Sequence, residues 1–151
     1  MTHLSTDLTQ LVSEAPEIEF APGEFLIQEN EPLHKLYVLI EGEVEVSKDG
    51  TEICKISRRG STFGEMSALL GDEPSASVQA VQATKLYVIE NPLEFLENNP
   101  KAALEVARLL AYRVNWVTFN FAAAKKMPSS DEVQSAMADS FAKRVFSLDR
   151  L

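Results

Sequence analysis

From Ile18 to Glu90 the chain is written in short apolar stretches broken by glycine and charge, and after Asn91 the pattern lengthens to helical spacing. Glu43-Val44-Glu45-Val46-Ser47 alternates with period two, as a strand with one face buried does. Lys48-Asp49-Gly50-Thr51 then supplies an Asp-Gly pair, the signal for a two-residue hairpin, so Thr51–Ile56 is the returning strand. Leu36–Ile40 and Leu86–Ile89 are continuous apolar runs rich in β-branched and aromatic residues, which predicts strands covered on both faces. Ser77–Ala83 alternates again through Val78 and Val81. Gly23, Gly42, Gly50, Gly60 and Gly64 punctuate the series, and the whole reads as an antiparallel β-roll of the jelly-roll type.

Helices flank this β region. Ser5 is a candidate cap for a first helix carrying Leu8, Leu11 and Val12. Asn91-Pro92 and Asn99-Pro100 each set an asparagine before a proline at a first helical position, predicting a short helix and then a long one to about Lys126. Ser129-Ser130 is linker-like, and Val133, Met137, Phe141 and Val145 predict a last helix from Asp131. The expected organisation is a helical segment over 1–14, the roll over 15–98, a long helix over 99–127 and a C-terminal helix over 128–151. The fold class is mainly β with flanking α.

The long helix carries two apolar seams. Ala107, Leu110, Val114, Val117, Phe121 and Ala124 make one; Leu109, Tyr112, Trp116, Phe119 and Ala123 make the other. The first can pack on the roll. The second would leave aromatic surface in water unless a second copy of the helix, or the segment 131–148, covers it. The expectation is a homodimer through the second seam, with Arg113, Asn115 and Asn120 solvated or setting register between the seams.

Composition narrows the function. The net charge of −9 disfavours phosphate backbones, and the basic pairs Arg58-Arg59 and Lys125-Lys126 read as solvated surface, so no nucleic-acid partner is expected. Cys54 is the sole cysteine, which excludes an intrachain disulfide and a cysteine-rich zinc site. The start of the chain lacks a signal-peptide pattern, and charges interrupt the most apolar stretch, Ala102–Ala124. A cytoplasmic protein off the membrane is expected. With His3 and His34 the only histidines and no nucleophile–base pair, neither a metal site nor catalytic residues are assigned, and no enzyme is expected.

Phe63-Gly64-Glu65-Met66-Ser67, followed by Pro74-Ser75-Ala76-Ser77-Val78, resembles the phosphate-binding cassette of cyclic-nucleotide-binding domains, the β-roll of catabolite activators and protein kinase A regulatory subunits. Ala21-Pro22-Gly23-Glu24 and Leu36–Val44 precede it in the family's glycine-punctuated order. The resemblance implies a ligand site at Gly64, Glu65, Met66, Ser67, Pro74, Ser75 and Ala76. There, backbone amides at Gly64–Ser67 would face an anion. Glu65 would accept from a ribose 2′-hydroxyl, or else cap cassette amides, and Ser75 with the Ala76 amide would contact the exocyclic phosphate. In the family an arginine just before that serine neutralises the phosphate; here Pro74 stands in its place, bringing neither charge nor N–H. Losing that contact is expected to weaken cyclic AMP or cyclic GMP binding by roughly 10- to 1000-fold. Arg58 or Arg59 could substitute only by reaching into the pocket, and both are expected to face water.

The resemblance also implies that the long helix is a dimerisation helix. Relatives that read DNA add a helix-turn-helix module, for which about 25 residues after Lys126 are too few. The expected function is a homodimeric, protein-binding regulatory adaptor with weak or no cyclic-nucleotide binding and an unidentified signalling partner, and without any other cofactor. The alternative is a cyclic AMP or cyclic GMP sensor with altered phosphate recognition.

Overall fold

The computed structural model describes residues 7–124. The linker at Ser129-Ser130, the last helix from Asp131, the end of the long helix at Lys126 and the Ser5 cap lie outside the described residues.

The first described helix is α1 (Leu8–Leu11), and its cap is Asp7 in place of the expected Ser5: the Asp7 carboxylate accepts from the Thr9 N–H at 3.0 Å. Eight strands follow: β1 (Glu17–Phe20), β2 (Phe25–Ile27), β3 (Leu36–Glu41), β4 (Val44–Lys48), β5 (Thr51–Ile56), β6 (Thr62–Phe63), β7 (Ser77–Ala80) and β8 (Thr84–Ile89). The helix α2 (Glu65–Leu70) interrupts them between β6 and β7, and α3 (Pro92–Asn98) and α4 (Pro100–Ala124) come after. The strands form two antiparallel four-stranded sheets, ordered β1-β8-β3-β6 and β2-β7-β4-β5. This is the mainly β roll with flanking helices that the pattern predicts.

The two kinds of apolar pattern have separate causes. In β3 and β8 alternate side chains serve two cores. Tyr37, Leu39, Leu86 and Val88 point between the sheets, where they meet Val44, Val46, Cys54, Ile56 and Val78. Leu36, Val38, Tyr87 and Ile89 point outward, where Leu8 and Val12 of the N-terminal segment and Ala102 and Val106 of α4 cover them. Both faces are dry, so both parities are apolar. Only one face of β4 is buried, which leaves Glu45 and Ser47 at partly exposed positions. The β4–β5 hairpin closes through Asp49 and Gly50 at φ 51° and 80°, the left-handed pair a two-residue loop requires. Lys85 of β8 stands 3.6 Å from both Glu19 and Glu41 on the neighbouring strands. Those carboxylates, Glu41 foremost and with Glu17 added, raise its pKa above the ordinary lysine value.

Two capping expectations need correction. Asn91 makes no side-chain cap bond, and the Asn99 amide donates back to the Phe95 carbonyl at 2.8 Å, closing α3 instead of opening α4. The prolines at Pro92 and Pro100 mark the starts nonetheless, because their missing N–H falls where no helical partner exists.

The seams of α4 also differ from the heptad reading. The buried stripe is Ala102, Val106, Leu109 and Arg113. It meets the second expected seam only at Leu109 and misses the first, whose Ala107 and Val114 are exposed and Leu110 half-buried, so the seam expected to pack on the roll is not the one that does. Leu109, assigned to the partner face, is thus buried within its own domain. Tyr112, at 49% exposure, and Phe119, at 70%, do face outward, as do Leu104 and Val114. Trp116 and Ala123 lie further along α4; their side chains are outside the described set.

Candidate functional site

Between β6 and β7 the chain leaves the sheet, makes α2 and returns, enclosing a cavity of about 280 Å³. All seven sequence-assigned ligand residues, Gly64, Glu65, Met66, Ser67, Pro74, Ser75 and Ala76, line it. Ile27, Phe63 and Val78 give it an apolar wall, and Asp72 and Glu73 stand on its acidic side. Met66 is half-exposed at the surface, whereas Glu65 and Ser67 are buried.

Local chemistry sets this shape. Gly64 caps α2 at φ 91°, and a Cβ there would stand 2.6 Å from the Lys35 carbonyl oxygen. Backbone strain at such a position costs about 1–3 kcal/mol before the clash is added. Gly64→Ala is therefore expected to lower unfolding free energy by at least that much, read from urea denaturation; an unchanged midpoint would contradict the close approach. Gly71, at φ 77°, ends α2 with its N–H on the Ser67 carbonyl at 2.8 Å.

The returning limb is held from three sides. The Asn30 N–H donates to the Pro74 carbonyl at 2.9 Å, and the Glu29 N–H to the Ser77 hydroxyl at 3.0 Å. The Lys48 ammonium donates to the Ser75 carbonyl at 2.7 Å. None of these bonds uses a Pro74 N–H, so the limb keeps its course although proline cannot donate.

Glu65 has a partner that periodicity alone does not reveal. Arg113, expected at a solvated position, is 7% exposed and donates from Nη1 to Glu65 Oε1, joining α4 to the cassette. The charge is tolerated on a buried stripe because it is neutralised there. Three further atoms of the pair, Glu65 Oε2 and Arg113 Nε and Nη2, are buried without a hydrogen-bond partner in the protein. Such atoms are few in native proteins and concentrate where a ligand or strain has a role.

Neither Arg58 nor Arg59 brings a charge to the cavity beside Ser75. Both are exposed and neither lines the cavity; Arg59 lies 3.9 Å from Asp7. Among the described residues, the cavity lining contains no lysine or arginine.

Residues 17–95, a little over half of the chain, match the model of the cyclic nucleotide-binding domain, and the chain belongs to that family. It is 36% identical over 83 residues to the cGMP-dependent protein kinase egl-4 of Caenorhabditis briggsae, covering 55% of this chain and 11% of that one. It is 42% identical over 71 residues to a cAMP-dependent protein kinase regulatory subunit of Emericella nidulans, covering 46% of this chain and 17% of that one. The chain thus spans under a fifth of these relatives' length. Among solved structures, the Thermus thermophilus catabolite activator protein superposes with a TM-score of 0.66 at 24% identity, covering 82% of this chain and 62% of its own. A cAMP-bound PfPKA-R fragment superposes at 0.56 with 17% identity, covering 71% of this chain and 42% of its own. These two likenesses establish the roll as a fold. Among the chain's described residues no helix is long and apolar enough to cross a membrane.

Proposed function

We propose that the chain is a regulatory adaptor, not an enzyme, that acts through protein contacts as a homodimer and has little or no hold on cyclic nucleotides. The observation that carries the reading is Pro74 in the family's arginine position, in a cavity whose lining offers no cation. A cyclic phosphate entering there would meet Asp72 and Glu73, which repel it, and no cation of the lining to offset them, Lys48 on the Ser75 carbonyl lying outside that lining. The exposed Tyr112 and Phe119, on the same helix as Trp116, support the dimer. Burying such aromatic surface against a second copy contributes several kcal/mol, at about 25 cal/mol per Å². The reading is of a cytoplasmic protein, and a lone cysteine buried in β5 fits a reducing compartment.

Sedimentation equilibrium tests the dimer. The wild-type chain is expected to sediment as a dimer and Trp116→Asp as a folded monomer. A monomeric wild type would overturn the dimer, and an unaffected variant would remove Trp116 from the interface. The same variant pair in a pull-down reports whether a signalling protein uses this helix.

A second reading, a cyclic-nucleotide sensor, is favoured by one contact. Because Glu65 holds Arg113, a ligand that takes over the Glu65 carboxylate changes what anchors α4. Such a shift moves a population between two packings, and it needs differential affinity of the ligand for them. Hydrogen exchange separates the two readings. The adaptor predicts unchanged α4 protection on adding 100 µM cyclic AMP or cyclic GMP (a concentration of order 10⁻⁴ M, near −5.5 kcal/mol of standard binding energy). A marked change in α4 protection supports the sensor.

A further inference from the structure

The first sheet ends on β1, which pairs with β8 and with no other strand. The Val88 N–H donates to the Pro16 carbonyl at 2.9 Å, and that bond fixes the parity of the ladder. Residues 16, 18 and 20 turn their backbone groups toward β8, so Glu17 and Glu19 turn theirs outward. Just beyond them the edge is closed. The Ala15 N–H is taken by the Val12 carbonyl and the Ala21 N–H by the Glu24 carboxylate, each at 2.9 Å. Among the described residues nothing pairs with the N–H and C=O groups of Glu17 and Glu19, which leaves a short open window of sheet edge.

The side chains at this window carry one charge. Glu17 and Glu19 are exposed on the same face, and Glu19, Lys85 and Glu41 form a row across β1, β8 and β3. Lys85 is outnumbered there, since Glu41, Glu19 and Glu17 all act on it. Ile18, between the two glutamates, points the other way and is half-buried against the core with Phe20. A strand added beside β1 sets one residue opposite Glu19 and another, two positions along, opposite Glu17. Basic residues at those places continue the alternation of charge across the sheet. A second copy of β1 does the reverse. With the outward groups of two such strands matched antiparallel, glutamate faces glutamate.

We propose that β1 accepts an extended segment of a partner protein as an added strand, with lysine or arginine at two positions separated by one apolar residue. The Glu17 and Glu19 carboxylates read the basic side chains, and the backbone groups of the same residues supply the ladder. This edge shares no residue with the lining of the cavity, so the inference holds whether or not a cyclic nucleotide binds.

The test is amide hydrogen exchange, followed by NMR, on the full chain titrated at low salt with a capped Lys-Val-Lys-Val-Lys peptide. At saturation the Glu17 and Glu19 amides are expected to exchange roughly tenfold more slowly, while those of Ile18 and Phe20, already bonded to β8, hardly change. The charge reversal Glu17→Lys/Glu19→Lys, made at exposed positions, is expected to weaken peptide binding by roughly fivefold or more in a chain that circular dichroism shows to be folded. A Glu-Val-Glu-Val-Glu peptide is not expected to bind. No binding of the basic peptide at millimolar concentration would overturn the inference. Binding without protection at Glu17 and Glu19 would overturn strand addition, and equal binding of the acidic peptide would overturn the charge reading. Protection that grows with protein concentration alone would put a second copy on the edge and overturn the basic partner.

Discussion

Arg113→Met is expected to destabilise the domain by about 3–5 kcal/mol, because it strands the Glu65 carboxylate in a buried position. Methionine nearly preserves the length and apolar volume of the arginine stem, so the loss reports charge rather than packing. Urea denaturation at neutral pH measures it. A cycle with Glu65→Gln isolates the pair: the double variant should recover much of the stability, since two neutral side chains no longer leave a buried ion alone. Arg59→Ala gives the contrast. Its ion pair with Asp7 is half-exposed at 3.9 Å, and its loss should change stability by no more than ~1 kcal/mol. A loss under 1 kcal/mol for Arg113→Met would mean that the pair is open to water. The further consequence is functional, because this contact ties the cassette to α4.

Pro74→Arg is expected to raise affinity for cyclic AMP by roughly 10- to 1000-fold. A charge-assisted hydrogen bond is worth ~1.5–3 kcal/mol, and a buried charged contact ~2–5 kcal/mol, at 1.4 kcal/mol per decade. The backbone tolerates the change: Asn30 and Lys48 hold the limb through the Pro74 and Ser75 carbonyls, which any residue supplies. An arginine adds an N–H as well as the guanidinium. The comparison is made by titration calorimetry on the two proteins, with circular dichroism melts to show that the variant folds. Equal affinities in folded proteins would mean that more than one charge has been lost from the site.

Much of the roll was legible because period-two alternation, glycine and the Asp49-Gly50 turn are local signals. Leu36–Ile40 could be read as doubly buried from its own residues, and the helices α1 and α4 then proved to be the second cover. The cassette residues were likewise findable, since Gly64, Glu65, Ser75 and Ala76 sit in one short ordered stretch. Arg113 was not. Its partner is 48 residues away in sequence, and nothing local marks a charge as buried. A signal did exist in the spacing, because Ala102, Val106, Leu109 and Arg113 continue one stripe in steps of four, three and four. A heptad template hid it by sorting only apolar residues. The asparagine caps failed for a related reason: Asn99 had a competing acceptor in the last turn of α3, which sequence position alone does not weigh.

The proposed reading is of a cassette that keeps its inner carboxylate and lacks the cation that would hold a phosphate. Gly64 and Gly71 shape the turns, Glu65 is held by Arg113, and Pro74 stands before Ser75 in a lining without lysine or arginine.

The most direct test of that claim is a calorimetric titration of the unmodified chain with cyclic AMP. The account predicts a dissociation constant weaker than micromolar, or no measurable heat; saturable binding at micromolar or tighter would contradict it.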